Sequence, residues 1–104
     1  MIKRKNDQYT EVRTNMRGAP GAVTVRNYFR KEEMHIPCRL CAELTLPPGA
    51  GIGLHEHVNE DEIFIVQRGT GIITDNGTDV AVGAGDAVIT GKGGSHAVRN
   101  DGKE

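Results

Sequence analysis

The chain has 104 residues, with 13 Lys and Arg against 14 Asp and Glu for a formal net charge of −1. This length allows one domain and one core, and the balanced charge offers nothing to nucleic acid or to an anionic membrane surface. No apolar run approaches the ~20 residues of a membrane helix, and the basic start Met1-Ile-Lys-Arg-Lys lacks the apolar stretch of a signal peptide, so a cytoplasmic protein is expected.

Residues 1–36 are polar and weakly patterned. Asn15-Met-Arg-Gly-Ala-Pro-Gly21 is rich in turn formers. Val23-Thr-Val-Arg-Asn-Tyr-Phe29 suits a short strand, and Lys31-Glu-Glu-Met-His35 a helical turn or a loop. This segment is expected to be an arm that packs on the rest of the domain or on a partner subunit. His35, beside Glu32 and Glu33, reads as a surface histidine.

The pattern sharpens over residues 37–104, which are read as the barrel proper. Leu40, Ala42, Leu44 and Leu46 alternate with more polar neighbours at the period of a half-buried strand. Cys38 and Cys41 lie three apart on that strand, so their side chains leave from opposite faces and two unpaired thiols are expected. Arg39 and Glu43 fall on its polar side, either as a cross-strand pair or as a cavity wall where Arg39 meets an anion. Pro47-Pro48-Gly49 ends the strand. Ile52–His57, Glu62–Arg68, Thr70–Thr74, Asp79–Val82, Ala87–Thr90 and His96–Arg99 read as further strands. The Asn76-Gly77 dipeptide suits the positive φ angles of a tight hairpin. Short strands with turn signals every eight to twelve residues indicate an all-β sandwich or barrel. The last turn-like residues, Asn100-Asp-Gly-Lys-Glu104, have no strand after them. A closed sheet then takes its closing strand from the N-terminal segment or a partner, or the chain is a shortened one.

Three of the four histidines gather with an acidic residue. His55 and His57 are two apart and share one face of a strand. Glu62 follows a polar turn, and His96 comes from a distant strand. Three imidazoles and a carboxylate suit Mn, Fe, Co, Ni, Cu or Zn better than Ca or Mg, which prefer all-oxygen shells. Glu56 is expected to face outward. Glu60 and Asp61 compete with Glu62 as the carboxylate ligand, and Glu62 is preferred because it opens the apolar strand.

These residues carry a resemblance to the cupin superfamily. Its first motif is met by Gly49, His55, His57, Glu62 and Gly69. Its second is met by Gly85, Gly93, His96 and Asn100, with Gly91 where the motif has proline. The resemblance implies an all-β jelly-roll barrel with a metal in its mouth, and metal-ligand roles for His55, His57, Glu62 and His96. The Asn-Met-Arg-Gly segment, the Leu-Pro-Pro-Gly strand end and the Asp-Asn-Gly hairpin are further similar to small bacterial cupins of the oxalate-decarboxylase-like kind. Such proteins are often dimers, which implies a homodimer here.

The implied cofactor is one divalent transition metal, manganese first, with iron, zinc, nickel, cobalt and copper open. The implied function is a metal-dependent decarboxylase, oxidase or isomerase of a small oxo- or dicarboxylate. A non-catalytic cupin that binds or senses a small ligand is the rival reading. A sugar isomerase is a third, disfavoured by only four aromatic residues. The residues name no general acid or base.

Overall fold

Short β-branched segments separated by turn residues become nine antiparallel strands in the computed structural model, which describes residues 1–102. These are β1 (Thr10–Thr14), β2 (Ala22–Phe29), β3 (Cys41–Thr45), β4 (Gly51–Glu56), β5 (Glu62–Ile65), β6 (Thr70–Asp75), β7 (Thr78–Gly83), β8 (Ala87–Thr90) and β9 (Ser95–Arg99). They form sheets ordered β1-β2-β3, β4-β9-β6-β7 and β5-β8. The helical content of the described residues is three single 3-10 turns, all before residue 34. Asn76 and Gly77 have φ of 47° and 86°, as the β6–β7 hairpin demands.

Two features of the N-terminal segment go beyond the sequence reading. β1 was not expected, because Thr10-Glu-Val-Arg-Thr14 has one apolar residue and leaves it 63% exposed. The strand exists because its backbone pairs with β2, from Thr10 opposite Arg26 to Thr14 opposite Ala22. β2 is the longest strand, and its inward residues Val23 and Val25 are fully buried. They pack with Ile52 of β4, and Met16, Ala42, Leu44, Leu46 and Val98 lean against that trio. Each buried valine contributes about 1.5–3 kcal/mol.

The apolar core is small. Among the described residues its buried members are Val23, Val25, Ala50, Ile52 and Ile73. His96, at 0% exposure, is the largest fully buried side chain. β3 and β5 each end a sheet on one side, and a cavity of about 560 Å³ opens between them, walled by Leu44, Leu46, Ile52, Phe64, Ile73 and Val98. On the outer face of β5-β8, Ile63 pairs with Ile89 and both are 62% exposed.

β4 is not a regular strand. Its register with β9 runs Ile52↔Val98 and then His55↔His96, so β4 carries one extra residue between the two pairs. In a regular strand positions 52 and 55 point to opposite faces. The bulge resets the phase, so Ile52 enters the apolar core and His55 enters the same interior further along.

Candidate metal centre

His55 and His96 reach the interior from paired positions on β4 and β9. His57 lies one residue beyond β4, and its backbone is held from both sides. Its N–H donates to Gly94 O at 3.0 Å, and its carbonyl accepts from Gly93 N at 2.9 Å. Glu62 opens β5 and points inward with Phe64, while Ile63 and Ile65 point out. Phe64 stacks on the His96 ring at 4.9 Å between centroids.

The four side chains offer donor atoms that all lie within 4.8 Å of one another. His96 Nε2 is 3.0 Å from both His55 Nε2 and His57 Nε2. Glu62 Oε1 is 2.7 Å from His96 Nε2, 3.2 Å from His57 Nε2 and 3.9 Å from His55 Nε2. Donors about 2.1 Å from one ion and at right angles to each other would be about 3 Å apart. The spacing therefore suits a six-coordinate transition metal.

The outer ring nitrogens say which tautomer the neutral rings take. His55 Nδ1 donates to the carbonyl of Gly53 at 2.7 Å. His57 Nδ1 donates to Glu60 Oε1 at 3.0 Å. A carbonyl and a carboxylate only accept, so both Nδ1 atoms carry a hydrogen, and in the neutral rings both Nε2 atoms present lone pairs. His96 Nδ1 meets the hydroxyl of Thr90 at 3.0 Å. One hydrogen on His96 Nε2 can serve only one of its three close neighbours. The remaining contacts set lone pair against lone pair unless a cation stands between them. The donor set thus fits a metal by its chemistry as well as by its spacing.

Burial pushes the His96 pKa below the ordinary imidazole value, against the Glu62 carboxylate, which acts to raise it. The hydrogen bond from His57 holds the Glu60 carboxyl below its usual range. His57 is 3% exposed, and the side chain of Glu62 is 27% exposed, so the cluster opens on the Glu62 side.

His55, His57, Glu62 and His96 come together. Glu56 is exposed, as is Asp61, and neither joins the cluster. Glu60 does not compete with Glu62 but supports His57 from behind. Arg39 neither pairs with Glu43 nor enters the cavity. It forms an ion pair with Glu60, while Glu43 pairs with Arg26 at 3.0 Å. His35 is exposed, and Cys38 and Cys41 are free thiols. The sequence reading missed Thr90 and the Gly53 carbonyl. Thr90 had a faint signal, since it stands opposite Glu62 in the β5–β8 pairing and so shares its inward phase. A backbone carbonyl at a bulge has none.

Gly91, at the motif's proline position, lies against Asp61. A Cβ there would meet Asp61 Oδ1 at 1.8 Å, so the Asp61 side chain occupies the room a larger residue would take. Asn100 fastens the end of β9, donating from Nδ2 to Leu46 O at 2.7 Å.

A curled arrangement of short antiparallel strands around three imidazoles and a carboxylate is what defines a metal-binding cupin. The chain belongs to the cupin family, whose Cupin domain description matches residues 42–104. Among individual proteins it is similar to an oxalate-binding protein of Thermotoga maritima, 42% identical over 98% of this chain and 84% of that protein. A crystal structure of a predicted oxalate decarboxylase from the same organism superposes with a TM-score of 0.92 at 42% identity, covering 99% of this chain and 90% of that one. A Cupin 2 conserved barrel domain protein from Salinispora arenicola shares the fold at a TM-score of 0.52 and 18% identity, covering 100% of this chain and 73% of that one. No helix among the described residues is long and apolar enough to cross a membrane.

Proposed function

We propose that His55, His57, Glu62 and His96 bind one divalent transition metal, manganese first, and that the protein is a metal-dependent enzyme acting on a small carboxylate of the oxalate type. The observation that carries this reading is the convergence of lone pairs on one point at 3.0 Å, with the outer nitrogens of the rings already engaged. The oxalate class is supported by the Thermotoga relatives. A bound metal would polarise a chelated carboxylate and stabilise developing oxyanion charge.

The chain's own residues then have defined tasks. His55 and His57 donate from Nδ1 and turn Nε2 toward the ion, and the Thr90 hydroxyl can accept from His96 Nδ1 so that its Nε2 is free to bind as well. Glu62 supplies one negative charge on the open side. Phe64 covers the face of His96 and keeps water from it. Metal analysis of protein purified without added ions, followed by a turnover assay on oxalate and related oxo- and dicarboxylates, tests the proposal. One metal per chain with product formation is expected. Bound metal with no product from any of them overturns the enzyme reading.

The relative described as oxalate-binding supports a second reading, a cupin that holds oxalate without converting it. It predicts thermal stabilisation by oxalate with no product.

Three further readings belong to the same proposal. Residues 1–36, which supply β1 and β2, act as an arm on the barrel of residues 37–104. The outward Ile63, Ile65 and Ile89 support a homodimer, since apolar residues gathered on one face mark interaction surfaces; light scattering after gel filtration tests it. Two free thiols are in keeping with a cytoplasmic location.

A further inference from the structure

The three histidines of the cluster are held from behind by unlike partners. His55 leans on a backbone carbonyl and His96 on a buried threonine hydroxyl. His57 alone leans on a charged side chain, Glu60, at 3.0 Å. The same oxygen, Glu60 Oε1, accepts from Arg39 Nη2. Arg39 precedes β3, which belongs to a different sheet from β4, so the pair ties the loop between His57 and Glu62 to the segment that leads into β3. Only His57 is buried among the three; the side chains of Arg39 and Glu60 are 61% and 35% exposed.

We infer that Arg39 and Glu60 form a positioning dyad for the metal centre. Glu60 fixes His57 in the Nδ1–H tautomer and raises the donor strength of its Nε2. Arg39 holds Glu60 in place, and with it the loop that delivers Glu62. This inference rests on the metal-binding reading above and deepens it. A bond from a ligating imidazole to a carboxylate commonly changes metal affinity by ~10–100-fold. An exposed Arg–Glu pair contributes little to stability by itself, so a purely structural pair would leave the metal untouched.

The experiment has two arms. In the first, manganese and cobalt affinities are measured by competition with a chelating dye for wild type, Glu60→Ala, Glu60→Gln, Arg39→Met and the Glu60→Ala/Arg39→Met double variant. Glu60→Ala is expected to weaken binding about 10–100-fold. Glu60→Gln keeps an acceptor and is expected to lose less. Arg39→Met is expected to show an intermediate loss, and the double variant to match Glu60→Ala, because Arg39 acts through Glu60. In the second arm, nitrogen NMR of the metal-free protein reads the His57 tautomer. Wild type is expected to show Nδ1–H alone and Glu60→Ala a mixture. Unchanged affinity in a folded Glu60→Ala variant overturns the dyad, as does an unchanged His57 tautomer. If wild type binds no metal, the metal-binding reading falls, and the tautomer arm still decides what Glu60 does to His57.

Discussion

His55 and His96 stand directly opposite each other on β4 and β9, with their Nε2 atoms 3.0 Å apart, and this pairing exists only because β4 has a bulge between Ile52 and His55. The bulge contains Gly53, whose carbonyl orients His55. One irregularity therefore does two jobs: it turns the histidine inward and supplies the acceptor that sets its tautomer.

Gly53 is consequently a sensitive position. A Cβ there would lie 1.8 Å from the carbonyl oxygen of Arg17, a backbone atom that cannot swing aside. Gly53→Ala is expected to destabilise the fold by about 3 kcal/mol, at the upper end for overpacking, and to weaken metal binding as well. Urea unfolding of the metal-free protein, set beside a metal titration, measures both effects.

Gly91 makes the opposite case. The atom that its Cβ would strike belongs to the side chain of Asp61. Gly91→Ala is expected to cost about 1 kcal/mol, and adding Asp61→Ala is expected to restore most of it. A double-mutant cycle by thermal denaturation checks this, and additive losses would contradict the packing described.

His96 links stability to pH. Burial places its folded pKa below the ordinary 6.5. On acidification the unfolded chain takes up this proton first, so stability present above about 6.5 is lost as pH falls toward the folded pKa. The metal-free protein is expected to melt at a lower temperature at about pH 5.5 than at about pH 7.5, and His96→Gln to flatten that difference. A calorimetric pH series reads it directly.

Removing a ligand separates the metal from the scaffold. Glu62→Gln, His57→Gln and His96→Gln are each expected to reduce bound metal from one per chain to near none. Their melting temperatures are then expected to ignore EDTA, whereas that of the wild type falls. Metal analysis together with paired melts tests this.

Val25, fully buried on β2, tests the core. Val25→Ala is expected to cost about 2 kcal/mol, without changing metal affinity in the protein that remains folded. A change in affinity at that site would mean that the N-terminal segment reaches the metal centre.

Much of the site was legible because its spacing is local. His55 and His57 declare a shared face, Glu62 opens an alternating strand, and His96 lies in a second motif of its own. The strands from Cys41 onward were legible for the same reason, since period-two alternation and Asn-Gly turns are short-range signals. Leu40 shows where that logic stops. It fits the alternation of β3 but lies outside the strand and is 39% exposed. β1 was illegible because a strand that buries no apolar residue exists through its neighbour's hydrogen bonds. The bulge at Gly53 was illegible because it adds a residue without altering composition. Arg39 was misplaced because its partner, Glu60, is 21 residues away and meets it only when two loops come together in the fold.

The scarcity of buried hydrocarbon in this barrel has a final consequence. Where a larger domain would bury leucine and isoleucine, the largest side chain this one buries completely is His96. An ion there would tie segments 41 residues apart, restricting the denatured chain much as a crosslink does. Loss of the metal would therefore loosen the whole molecule, and cellular metal supply would govern how much folded protein persists as well as how much of it is competent.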